Sequence, residues 1–147
     1  MKSPNLTQHP PRSPRVRLGG FVILPRMLDK GRALLAGKIG EYKYACPLDQ
    51  RFLEFAGLDG EALKAQLAAG KGDREILEWI TANSATKPSP TAIAAWSALQ
   101  EQRVPLDPDA RKFFNDLHSS IAPQRADIGT WFDLLDLDDY VSFGGEA

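Results

Sequence analysis

The stretch DPDARKFFNDLHSSIAP, residues 107–123, decides the fold class. Asp107 followed by Pro108 is a helix opening: an acceptor side chain that can cap the first turn, then a residue whose fixed φ suits it. Ala110, Phe113, Phe114, Leu117 and Ile121 then recur at three- and four-residue spacing, which draws one apolar face on a helix of 3.6-residue period. Pro123 ends the run.

The same punctuation repeats outward from there. Upstream, Ser89-Pro90 opens a helix with Ile93, Trp96 and Leu99 on one face, broken by Pro105. Asp73 is placed to cap a helix whose stripe is Ile76, Leu77 and Ile80, with Trp79 at its border. Asp59 caps another, where Leu58 can staple onto Leu63, Leu67 continues the face and Gly70 closes it. Pro47 to Ala56 turns Leu48, Phe52 and Phe55 inward and stops at Gly57. Pro25 opens the first helix and Gly37 ends it. Met27, Leu28, Leu34 and Leu35 share its apolar face, with Arg26, Asp29 and Lys30 opposite; Asp29 lies three residues from both Arg26 and Arg32. Downstream, Trp131 to about Leu137 is amphipathic. Glu41-Tyr42-Lys43-Tyr44 alternates, but is too short to imply a sheet. The expectation is an all-α, irregular domain of six or seven short helices.

Residues 1–17 read differently. Pro10, Pro11 and Pro14 exclude helix and favour an extended arm. The expected organisation is a basic, proline-containing arm (1–17) followed by one helical domain (18–147), with a polar loop at 84–90 between its two halves. With 147 residues and 43% hydrophobic content, the chain should bury roughly two-thirds of its unfolded surface and fold without staples. A single cysteine, Cys46, rules out an internal disulfide and suits a reducing compartment. No signal-peptide core and no membrane-length apolar run is visible, so the expected location is cytoplasmic.

The net charge of −1 conceals a strong asymmetry. Residues 1–40 hold eight basic residues against Asp29 alone, whereas 127–146 hold six acids and no base. Either the two ends attract each other or the basic end meets an anionic partner.

Several of the runs just described recur together in a known pattern. Arg12-Ser13-Pro14-Arg15, Leu18-Gly19-Gly20, Leu24-Pro25-Arg26-Met27, Asp29-Lys30, Arg32-Ala33, Gly40-Glu41-Tyr42 and Cys46-Pro47-Leu48-Asp49 resemble a bacterial family of unknown function, number five thousand and sixty-nine. The resemblance is specific over residues 11–57 and looser through Trp79. It implies a bacterial source and a small helical domain, and it carries no activity with it.

Candidate site residues gather in the same region. Glu41, Tyr42, Tyr44 and Asp49 lie around a turn beside Arg26, Asp29, Lys30 and Arg32, and carboxylates, phenols and cations together suit an anionic or amphipathic small molecule. The competing reading is a salt-bridged structural corner. Arg12 and Arg15 of the arm are expected to bridge to the Glu41–Asp49 corner and frame the site. The leading expectation is therefore a small binding or interaction protein, whose partner is an anionic small molecule or a protein. The alternative is a small-metabolite enzyme using Cys46 or the Glu41/Asp49 carboxylates. Cys46 precedes a helix-opening proline and follows Lys43, the setting of reactive thiols, and His118 is the one histidine outside the arm that could act as its base. Against that, a lone cysteine is usually a small buried residue. A weak nucleic-acid role for the arginines of the arm comes third, since the chain is slightly acidic and shows no named reader motif. Positions 9, 46 and 118 offer no metal-ligand spacing, and Gly70-Lys71-Gly72-Asp73 lacks the full phosphate-loop pattern, so neither metal nor cofactor is expected.

Overall fold

The computed structural model of the chain describes residues 2–147; Met1, the first residue of the expected arm, lies outside them. Seven helices follow one another: α1 Leu24–Leu35, α2 Pro47–Ala56, α3 Gly60–Ala68, α4 Asp73–Asn83, α5 Pro90–Glu101, α6 Pro108–Ile121 and α7 Trp131–Ser142. Among the described residues the sole strand-like feature is an isolated bridge between Leu18 and Phe21. Glu41 ends one turn and Tyr44 begins another, with Tyr42 and Lys43 in irregular chain between them rather than in a strand. No described helix is long and apolar enough to cross a membrane.

The caps explain most boundaries. Asp59, Ser89, Asp107 and Thr130 each accept the backbone N–H three residues on, at 2.8, 3.1, 2.8 and 3.1 Å. Asp73 departs from its expected role. Gly72 is the N-cap, Glu75 takes its N–H at 2.9 Å, and Asp73 is the first helical residue. Its carboxylate is thereby left for the arginines of the arm and α1. Helix α7 runs past Leu137 to Ser142 although acids near a helix C-terminus oppose its dipole. Asp139 is tolerated there because cationic and phenolic donors from α1 and the 41–46 turn hold it.

Helix α1 is the axis of the structure. It packs on α2 and α3, while α3 meets α4 and α6 meets α7. Its polar side is not solvated. Arg26, Lys30 and Arg32 are buried, while Leu34 and Leu35 near its end are 39% and 47% exposed, the reverse of the simple amphipathic reading. The main core gathers Phe21–Leu24, Met27 and Leu28 with Phe52, Leu53, Leu63, Ile76, Ile80 and Phe132. A second cluster joins Phe114, Ala122 and Ile128 to Leu134 and Leu137. Phe132 belongs to the first and Leu134 to the second, so α7 links the two.

The arm is fixed to this body. Leu6 is 1% exposed and its N–H donates to the Lys38 carbonyl at 2.9 Å. The Ile23 N–H donates to the Pro14 carbonyl at 2.9 Å, which helps hold Ile23 at a φ of 72° at the start of α1. For a β-branched residue that conformation costs about 1–3 kcal/mol, offset by its complete burial.

The arm's arginines do not reach the Glu41–Asp49 corner. Arg12 donates to Asp29 at 2.9 and 2.8 Å and to Asp73 at 2.7 Å. Arg15 pairs with Asp136 at 3.0 Å and with Asp133, and Arg17 pairs with Glu101 at 2.9 Å. Asp29 therefore pairs across the fold with Arg12 rather than along α1 with Arg26 or Arg32. The corner's own carboxylates are either solvated, as Glu41 is, or buried beneath Lys30, as Asp49 is. The aspartates of α1, α4 and α7 are the ones that meet the arm.

Candidate functional site

A cavity of about 750 Å³ opens between α1, the 40–46 turn and the α6/α7 pair. Three elements supply its polar side. Successive turns of α1 place Arg26 and Lys30 there, four residues apart on one face. The turn supplies Glu41, Tyr42, Lys43 and Cys46. Asp138 of α7 stands beside them. The opposite wall is apolar: Phe113 and Leu117 from α6, Trp131, Leu134 and Leu135 from α7, and Phe143 beyond it.

The cations are held from behind. Arg26 Nη1 and Nη2 donate to the two oxygens of Asp139 at 2.7 and 3.3 Å, and the Tyr42 hydroxyl donates to the same carboxylate at 2.6 Å. The Arg26 guanidinium lies 5.4 Å from the centre of the Tyr42 ring, a cation–π contact. Burial works against the Arg26 charge, but the hydrogen bonds to Asp139 together with the charges around it outweigh burial and raise the pKa. Burial, then the hydrogen bond to Asp139, pushes the Tyr42 phenol above its usual range, so it remains a donor at any physiological pH. Burial and the neighbouring Asp139 likewise raise Asp138.

Lys30 is the deepest cation. Its Nζ lies 2.7 Å from Asp49 Oδ2 and donates to Cys46 Sγ at 3.2 Å. Asp49 is fully buried in the first turn of α2, where the helix dipole favours a carboxylate. Its contact with Lys30 is close but poorly directed, and neither oxygen receives a well-formed hydrogen bond. Cys46 is the N-cap of α2 and is half-buried at the cavity edge, not sealed in the core. His118 is not its base. That ring lies across Phe114, with Nε2 2.8 Å from the Arg125 carbonyl, and takes no part in lining the cavity.

The structure divides the ten candidate residues. Arg26, Lys30, Glu41 and Tyr42 line this cavity, with Asp49 directly behind Lys30. Arg12, Asp29 and Arg32 line a second, polar cavity on the other side of the arm. Arg15 lies with Asp133 and Asp136 at a shallow depression on α7. Tyr44 is structural: its hydroxyl donates to the Gly60 carbonyl at 2.7 Å, and its ring packs where a Cβ on Gly31 would approach to 3.0 Å. Burial, with Asp49 nearby, raises its pKa.

The sequence reading missed the apolar wall. Trp131, Leu135 and Phe143 are legible only as part of the alternating acidic and apolar run at 127–146, which suits docking in a groove. Helix α7 does dock on its own domain, and its remaining apolar residues form one wall of the cavity. Among the described residues no three histidine, cysteine, aspartate or glutamate side chains are grouped to hold a metal ion.

The family model described as "Domain of unknown function (DUF5069)" matches residues 8–141, from the arm through the Arg26–Asp139 pair. No curated protein matches the chain.

Proposed function

We propose for this chain, which belongs to the DUF5069 family, the binding of a small amphipathic anion in the cavity between α1 and the α6/α7 pair. One observation carries the reading: two almost fully buried cations, Arg26 and Lys30, face a cavity whose other wall is hydrocarbon. Burying a charge is costly, and a fold that only needed to close its core could use apolar residues at both positions with no loss of stability. Small-molecule sites typically combine apolar walls with a few convergent polar groups, and a volume of about 750 Å³ suits a ligand of metabolite size. Lys30 commits one donor to Cys46 and makes only a poorly directed contact with Asp49, which leaves donor capacity for a ligand carboxylate or phosphate. The apolar body would lie along Leu117, Trp131 and Phe143.

Trp131 provides the readout, because an occupant would change its fluorescence. Decanoate should bind, and decanol should bind at least tenfold more weakly, a difference of about 1.4 kcal/mol for the charged headgroup. Lys30→Met should erase that preference. Equal affinity for decanoate, decanol and decyltrimethylammonium would leave a greasy cleft without a cation site and sink the proposal.

A second reading, covalent chemistry at Cys46, is supported by the Lys30–Cys46 contact at the cavity edge. Lys30, rather than His118, would be the partner that steadies the sulfur. Iodoacetamide labelling of the folded protein at pH 6 separates the two readings. Labelling no faster than a free model thiol fits binding alone. Labelling many times faster, slowed by Lys30→Met, would favour the enzyme.

A further inference from the structure

We propose that the polar cavity under the N-terminal arm is a separate binding site for a phosphate-bearing small molecule. The arm is the partition between the two cavities. Leu6 and Thr7 face the amphipathic cavity, whereas Asn5, Gln8 and His9 face the other, of about 740 Å³. The partition is built in. The Leu6 N–H donates to the Lys38 carbonyl at 2.9 Å, and the arm passes so close to Gly40 that a Cβ there would come within 2.9 Å of the Leu6 carbonyl oxygen. That bond draws Lys38 to the rim of the polar cavity.

Its lining has the chemistry of an anion site. Among the described residues Lys2, Arg12, Arg32 and Lys38 face Asp29 and Asp73, an excess of two positive charges leaving His9 out of the count. The acids are already engaged. Asp73 takes Arg12 at 2.7 Å and Arg32 at 2.8 Å, and Asp29 takes the other edge of Arg12. Among the described residues Lys2 and Lys38 form no ion pair, so two ammonium groups that line the cavity are available to a ligand. Among the described residues Pro4 is the one apolar side chain that lines it, so it lacks the hydrocarbon wall of the neighbouring cavity. A compact, multiply charged group gains most from separated lysine point charges, and uncommitted Ser3 and Gln8 side chains can serve hydroxyl groups attached to it. The class that fits is a phosphate monoester or diphosphate of a polar metabolite.

Isothermal titration of the full chain with pyrophosphate and with glucose 6-phosphate at low salt tests this. Saturable binding of either one is expected, weakening as salt rises, with at least a tenfold loss in Lys38→Ala. That substitution leaves the backbone carbonyl that anchors Leu6, and unchanged exchange protection of the Leu6 amide would confirm the arm in place. Lys30→Met should change phosphate binding by no more than about twofold, so failure of the amphipathic site and failure of this one are separable. Absence of saturable binding by both ligands, or equal affinity in Lys38→Ala with the arm still docked, would overturn the proposal.

Discussion

Removing the Asp139 carboxylate should destabilise the protein more than any other single change on α7. Asp139 is 7% exposed, and the Arg26 side chain it holds is 4% exposed. Asp139→Ala deletes the two guanidinium hydrogen bonds to the carboxylate and the Tyr42 hydroxyl bond, and leaves the charged Arg26 with the Arg12 carbonyl at 3.3 Å and no acid within bonding reach. Breaking a buried pair from one side costs about 3–5 kcal/mol, chiefly because the remaining charge is stranded. That is a large fraction of the roughly 5–15 kcal/mol available to a domain. At about 2–4 °C per kcal/mol for a chain near this length, Tm should fall by roughly 6–20 °C. Urea unfolding followed by circular dichroism measures it, with the midpoint falling and the slope unchanged. The double variant Arg26→Met/Asp139→Leu removes both charges and should recover most of the loss. A cost below about 1 kcal/mol for Asp139→Ala, or a double variant as unstable as the single, would refute the claim that this pair is desolvated.

Two further outcomes follow from the arm. Arg12 and Arg32 hold Asp73 below the usual carboxylate value of 3.8, outweighing the burial that opposes them. A depressed acid contributes stability above its unfolded pKa and loses it as pH falls through the folded one, so stability should decline below about pH 4. Asp73→Asn should flatten that decline; an unchanged acid limb would show that Asp73 does not drive it. Gly40 has a φ of +62° and no room for a Cβ, so Gly40→Ala should cost about 1–2 kcal/mol and speed exchange at the Leu6 amide. Unaltered Leu6 exchange in a folded Gly40→Ala protein would separate the glycine from the arm.

The helices were legible because each carries its own local signals. Pro90 and Pro108 with their capping side chains, and Gly57 in a left-handed C-cap, act within one turn of the chain and need no tertiary partner. The buried face of α1 was not legible for the opposite reason. Arg26 and Lys30 stand at solvent-facing positions in any single-helix projection, and only Asp139, 113 residues away, and Asp49 across the α1–α2 packing make their burial possible. Asp73 shows the same competition. Its local role as an N-cap lost to Gly72, and its carboxylate went to arginines 61 and 41 residues distant. Phe113, adjacent to the buried Phe114, is 63% exposed because it stands at the edge of the α6 face that packs on α7, where the cavity opens.

The charge asymmetry joins these observations. A basic beginning and an acidic end read equally well as a waiting anion site or as two halves of one interface, and the ion pairs of Arg15 and Arg26 with α7 establish the second. Yet the interface does not consume every charge on either side. Each partnered cation is fixed by a carboxylate of another helix, Arg26 by Asp139 and Lys30 by Asp49, while both cations line the same cavity. The same construction recurs under the arm, where Asp29 and Asp73 orient Arg12 and Arg32 while Lys2 and Lys38, which also line that cavity, have no ion pair among the described residues. An acid that locks a cation's geometry without closing its outer face lowers the ordering cost of a later ligand, because the side-chain entropy is already lost in folding. The ion pairs that secure the fold thus also preorganise both cavities. On that account Asp139→Ala would weaken decanoate binding at the proposed site even in the fraction of molecules that remain folded.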